Sequence, residues 1–231
     1  MFFRLLLIFQ PVMLKRFVSR LLVVSLCGHS FVAYATPVNA ASTANIKVPR
    51  ILVYGDSLSA AYGVAQPQGW VTLLQQRLKE QHYAYDVINA SISGETTSGG
   101  LTRLAGTLAK TKPTIIILEL GANDGLRGLP VKEMSKNLSA IIVQSKKYKV
   151  KVLLVGMRIP PNYGPKYTET FSQTYQQLSQ QHQVALVPFM LENIAAKPSL
   201  IQSDGLHPNP LGQPMMLDNI WPALERLLKR K

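Results

Sequence analysis

From Val48 onward, short runs of apolar residues alternate with longer stretches in which apolar positions recur every three or four residues. The short runs are Ile51–Tyr54, Tyr85–Asn89, Thr114–Leu118, Lys151–Val155 and Val184–Val187, and most are apolar almost throughout. Such runs suit strands buried on both faces. The longer stretches, Trp70–Gln81, Gly99–Lys110, Val131–Tyr148, Tyr167–Gln181 and Gly212–Leu228, carry the helical period. In the last of these, Pro214 suits a first turn and Pro222 predicts a kink. Strands and helices taken in turn predict an α/β fold with a parallel sheet and helices on both faces. No internal repeat, low-complexity tract or interdomain linker breaks the pattern, so residues 48–231 read as one domain.

The sheet rule gives this pattern a functional meaning, because open parallel sheets bind ligands beyond the carboxyl ends of their strands. Asp56-Ser57 follows the first run, Ser93-Gly94 the second, Gly121-Ala122-Asn123-Asp124 the third and Met157–Pro161 the fourth. A loop with Asp204 and His207 lies beyond the fifth run and the Phe189–Ala196 segment. The polar and glycine-rich stretches therefore converge on one edge of the sheet.

The residue types on that edge are those of nucleophilic catalysis. An Asp three positions before a His fits one tight loop, with the carboxylate on one imidazole nitrogen and the other nitrogen free to take a serine proton. Ser57 is the candidate nucleophile, His207 the base and Asp204 its orienting acid. The turn after the first strand also leaves the Ser57 N–H unpaired and near a developing oxyanion. A serine in that place is also a common helix N-cap, and Asp-Gly is a common turn pair. Pro208 and Pro210 keep His207 extended and delay the last helix. His82 and His182, on predicted helix ends beside glutamines, read as solvated residues, which leaves His207 as the base.

Gly94, with no side chain to intrude, and Asn123, through its amide, are the further oxyanion donors. Asp56 and Asp124 read as braces for their own loops. Glu119, a carboxylate ending an apolar run, needs a partner or a proton and reads as structural. Met157, Ile159, Pro160 and Tyr163 are candidates for an acyl groove, with Leu126–Pro130 a second wall. Apolar residues in a proline-rich loop suit covering the core equally well.

Composition and charge narrow the setting. The formal charge is +13, and four of the 25 basic residues, Arg4, Lys15, Arg16 and Arg20, lie in a leader, leaving 21 against 12 acidic ones. The excess suits an anionic lipid surface or simply a solvated basic face. Lys146, Lys147, Lys149 and Lys151 cluster at a predicted helix C-terminus, which favours cations without any ligand. No nucleic-acid-binding motif accompanies the charge, and no nucleic-acid partner is expected. No metal-ligand spacing, dinucleotide-binding or phosphate-binding glycine motif occurs, so neither metal nor cofactor is expected.

The N-terminus reads as an export signal. Lys15, Arg16 and Arg20 precede the mostly apolar Leu21–Ala35, which closes on the small-x-small pattern Ala33-Tyr34-Ala35. Met13 offers a more ordinary signal start than Met1. Residues 1–35 are therefore expected to be a signal peptide and 36–47 a flexible lead-in, with the mature protein in the periplasm or secreted. Cys27, the single cysteine, leaves with the leader, and Leu26 before it departs from a lipoprotein signal. A body without disulfides then relies on its core for stability.

The four blocks Gly55-Asp56-Ser57-Leu58, Ser93-Gly94-Glu95-Thr96, Gly121-Ala122-Asn123-Asp124 and Asp204-Gly205-Leu206-His207-Pro208 resemble those of the GDSL, or SGNH, hydrolases. The strings Asn89–Gly94, Asn123–Gly128 and Pro161-Asn162-Tyr163-Gly164 are similar to its exported bacterial multifunctional esterases. The resemblance implies a three-layer α/β/α flavodoxin-like fold, five parallel strands in the order 2-1-3-4-5, and no cofactor. It implies two-step acyl transfer through an acyl-serine, with arylesterase, thioesterase and lysophospholipase activity on small acyl esters, thioesters or lysophospholipids. Ala122 departs from a frequent Gly and Glu95 from a frequent Asp. A carbohydrate O-deacetylase of the same family, and a non-catalytic lipid-binding module, are the alternatives. The chain is expected to be monomeric.

Overall fold

The computed structural model describes residues 48–230. The expectations for the leader, its cleavage site, Cys27 and the whole lead-in lie outside these residues. β1 (Arg50–Gly55), β2 (Asp86–Asn89), β3 (Ile115–Glu119), β4 (Lys151–Val155) and β5 (Ala185–Val187) form one parallel sheet in the order β2-β1-β3-β4-β5. The expected strand order is the observed one. β1 and β3 sit in the middle, and every residue of Ile51–Gly55 and Ile115–Glu119 is buried, because helices cover both faces.

The helices are α1 (Trp70–Glu80), α2 (Thr97–Thr111), α3 (Ala122–Leu126), α4 (Val131–Lys147), α5 (Pro165–His182) and α6 (Gly212–Glu225). α1 packs with α6, while α2, α4 and α5 pack in sequence with one another, giving a layer on each side of the sheet. Leu74, Leu78, Leu104, Leu108, Leu138, Ile142, Phe171 and Tyr175 are the helical side of the core. α2 starts two residues before its apolar period predicts because the Thr96 side chain accepts from the Gly99 N–H and caps it. α6 runs through Pro222 and stops one turn later at Glu225.

The alternative role for Ser57 falls away, and one expectation changes. Ser57 caps no helix: turns fill residues 57–63, and α1 begins only at Trp70, whose N–H donates to Gln213 Oε1 at 3.1 Å. His182 is not a solvated residue. It is half-buried, its Nε2 lies 2.8 Å from Ser139 Oγ on α4, and burial, with Lys146 adding, lowers its pKa.

Candidate active site

The ends of β1, β3, β4 and β5 each deliver part of a cleft of about 590 Å³ on the carboxyl edge of the sheet. β1 ends in Gly55 and hands the chain to Asp56, whose carboxylate accepts the Leu58 N–H at 3.0 Å and so forms the turn that presents Ser57. The Ser57 N–H makes no hydrogen bond among the described residues, as an oxyanion donor requires.

The Asp204–His207 loop hangs from an antiparallel bridge between Ile201 and Pro208. Gln202 N–H donates to His207 O at 2.7 Å, and Asn209 N–H to Leu200 O at 2.8 Å. Gly205, with φ +73, turns the loop's apex. The Gln202 side chain ties the loop to the β1 turn by donating to Tyr62 O at 2.9 Å. Across this frame His207 Nε2 stands 2.8 Å from Ser57 Oγ, and His207 Nδ1 stands 2.7 Å from Asp204 Oδ2. Asp204 Oδ1 accepts from the Leu206 and His207 N–H groups at 2.9 and 3.0 Å. Slight burial opposes ionisation of Asp204, but those N–H groups and the imidazole outweigh it and hold its pKa down to about 2. The Tyr62 ring lies 4.7 Å from the His207 ring, centre to centre.

Asn123, on the first turn of α3, donates one amide hydrogen to Asp56 Oδ2 at 3.0 Å and keeps the other for the cleft. Asp124 accepts from the Thr97 N–H at 2.9 Å and the Thr97 hydroxyl at 2.6 Å, locking α3 to the start of α2. Gly94 sits on the loop before α2 with φ +79. Its carbonyl accepts from Arg127, and its N–H makes no hydrogen bond among the described residues. It is exposed and stands outside the residues lining the cleft.

A single turn-forming serine, an imidazole and a carboxylate in line at these distances form a charge-relay geometry, and comparison with known proteins assigns it a lineage. A profile of the GDSL-like Lipase/Acylhydrolase family matches residues 53–214. The chain belongs to this family. Esterase TesA of Pseudomonas aeruginosa is 48% identical over 178 residues, 77% of this chain and 89% of that protein. Thioesterase 1/protease 1/lysophospholipase L1 of Escherichia coli K12 is 38% identical over 77% of this chain and 84% of that protein. A crystal structure of the psychrotrophic esterase EstA from Pseudoalteromonas sp., inhibited by monoethylphosphonate, is 44% identical. It covers 77% of this chain and 97% of its own with a TM-score of 0.74. By that membership the chain is an ester hydrolase.

Of the candidate groove residues, Leu126, Met157, Ile159 and Pro160 line the cleft. Tyr163 does not: its hydroxyl donates to Leu126 O at 2.6 Å, so it buttresses the wall from outside the cleft. The opposite wall, Phe189, Leu191, Ala195, Ala196, Ile201 and Leu206, escaped the sequence reading. Phe189 to Ile201 come from the irregular segment after β5, and Leu206 from the Asp204–His207 loop itself, and neither has a period to mark an inward face. Arg158, stacked over Phe189 at 4.8 Å, is the cation beside this wall.

Proposed function

We propose that the protein cleaves acyl esters and thioesters through an acyl-serine at Ser57, acting as an arylesterase, a thioesterase and a lysophospholipase. The observation that carries this reading is the 2.8 Å contact between Ser57 Oγ and His207 Nε2 at the foot of an apolar cleft, with Asp204 behind the imidazole. In the first step His207 Nε2 takes the Ser57 proton while Oγ bonds to the acyl carbon. The carbonyl oxygen becomes an oxyanion held by the Ser57 N–H and the free Asn123 amide hydrogen, with the Gly94 N–H, on the loop before α2, as the third expected donor. Collapse breaks the bond to the alcohol or thiol, which receives the proton from His207. Water then repeats the sequence on the acyl-serine, releasing the acid and restoring the hydroxyl. Asp204 stays ionised throughout, fixing the tautomer and orientation of the imidazole.

An apolar wall on both sides favours an acyl tail over a sugar. Each methylene buried there contributes about 0.8 kcal/mol, so two more carbons within the cleft are expected to raise kcat/KM by about ten-fold. Turnover of p-nitrophenyl acetate, butyrate, hexanoate and octanoate, set beside acetylated sugars, checks this. A flat acyl series with faster deacetylation of the sugars favours the O-deacetylase reading instead.

The sheet's opposite edge supports a second partner. Lys112, Pro113, Tyr148 and Val150 border a hollow there, Tyr148 is 54% exposed, and Lys147, Lys149 and Lys151 flank these residues in the chain. None of these lysines forms an ion pair among the described residues. Cations around an exposed tyrosine suit peripheral contact with anionic lipid. The protein is expected to sediment with phosphatidylglycerol vesicles but not phosphatidylcholine ones, and Lys147→Glu with Lys149→Glu to abolish the difference. Export follows from the reading of residues 13–35, and a mature N-terminus at Thr36 checks it. The monomeric state is checked by the mass in solution.

A further inference from the structure

Glu119 ends β3 and is completely buried. Its partner in register is Gly55 on β1. A Cβ at Gly55 would collide with Glu119 Oε2, so the carboxyl occupies the space that only a glycine leaves. Glu119 Oε2 accepts from the Ser59 hydroxyl at 2.7 Å and from the Asp56 N–H at 3.2 Å. Those two donors stand on either side of Ser57 in the chain. Asp56, equally buried, in turn accepts from Leu58 N–H and from the Asn123 amide. One side chain therefore reaches the nucleophile turn directly and the oxyanion amide through a single intermediary.

We propose that Glu119 is a positioning residue for ester hydrolysis, holding the turn that carries Ser57 and, through Asp56, the amide of Asn123. The proposal rests on the reading of Ser57 as nucleophile.

Its protonation follows from its surroundings. Among the described residues no Lys or Arg pairs with Glu119 or Asp56. Two adjacent buried carboxyls without a cation do not both ionise. Asp56 has two N–H donors for its charge, whereas Glu119 Oε1 is buried with no partner, so Glu119 carries the proton. Burial pushes Glu119 well above the carboxylate range, and the Asp56 charge adds to this. Burial also raises Asp56, to about 6, against the pull of its two hydrogen bonds and of His207. The other titratable groups facing the pair are Asp124 from α3 and the Tyr175 hydroxyl from α5, which is buried and donates to Leu120 O at 3.0 Å. Neither supplies a positive charge.

The sign of the pH effect follows. Folded Glu119 keeps its proton above its ordinary value of 4.5, where the unfolded chain has lost it. The folded state then binds more protons, and its stability declines as pH rises from that value towards the raised one. A neutral isostere removes the decline.

The test uses the full chain, p-nitrophenyl butyrate and an organophosphate label to count competent serines. Misplacing reacting groups by about 1 Å costs about a hundred-fold, so Glu119→Ala is expected to lose about that much kcat per labelled site with KM nearly unchanged. Glu119→Gln, which keeps the acceptor and needs no proton, is expected to recover most of the loss. Its thermal midpoint should gain on the parent's as pH goes from 5 to 8. Should Glu119→Ala not fold, Ser59→Ala removes one of the two bonds and is expected to lower kcat several-fold. Glu119→Ala or Ser59→Ala at parental kcat per site, or Glu119→Gln as impaired as Glu119→Ala, overturns the proposal. Turnover retained by Ser57→Ala overturns the nucleophile reading instead, so the two failures are told apart.

Discussion

Ser57→Ala is expected to lose at least about 10⁴-fold in kcat toward p-nitrophenyl butyrate while keeping the parent's circular dichroism and thermal midpoint. The side chain is half-buried and its hydroxyl contacts His207 at 2.8 Å, so removing one oxygen leaves the core intact. What it removes is the atom proposed to form the acyl bond, and no neighbour replaces it: Ser59, two residues on, is buried and its hydroxyl is spent on Glu119. Because nucleophile and base act as one unit, Ser57→Ala combined with His207→Ala is expected to be no slower than either alone. Steady-state turnover of the three variants, with covalent labelling by an organophosphate, measures both effects. Multiplying losses in the double variant, or labelling that persists in Ser57→Ala, defeats the assignment.

Asn123→Asp is expected to cost about a thousand-fold in kcat with KM nearly constant, and more than Asn123→Ala. The alanine variant deletes one oxyanion donor, a loss typically worth about a hundred- to a thousand-fold. The aspartate variant also sets an acceptor against Asp56 Oδ2, where the amide now donates at 3.0 Å. Asp56 is buried, so a second carboxylate there repels it at short range and must move away or take up a proton. Asn123 therefore needs both hydrogens of its amide, one for the scaffold and one for the substrate. Equal kcat values for the two variants refute the double use of the amide.

The sheet could be read from the chain because its strands are buried on both faces and so are apolar almost without interruption. Ile51–Tyr54 and Ile115–Leu118 declare themselves in this way. The sites at strand ends followed from the topology, and Ser57, Asn123 and His207 meet at one cleft as the sheet rule demands. Short elements were less legible. α3 spans five residues, too few to show a helical period, and it is what aims Asn123. The turns after Ser57 carry no period either, since one bond to the Asp56 side chain and a few backbone bonds form them rather than a helix. Tyr163 looked like a groove residue because its loop is apolar, yet the direction of one hydroxyl decides that it supports Leu126 from behind. The partner of Glu119 could not be foreseen either, since it depends on Gly55 lying beside it across the β1–β3 ladder.

The base and its orienting acid sit three residues apart on a loop closed at its root by the Ile201–Pro208 bridge. They travel as a rigid pair. Rocking of that loop about its root carries the imidazole's charge partner along and strains the contact to the hydroxyl together with the Gln202 tie to Tyr62. Thermal loosening would therefore silence turnover by stretching the contacts to the turn after β1, well before the acid–base couple itself comes apart.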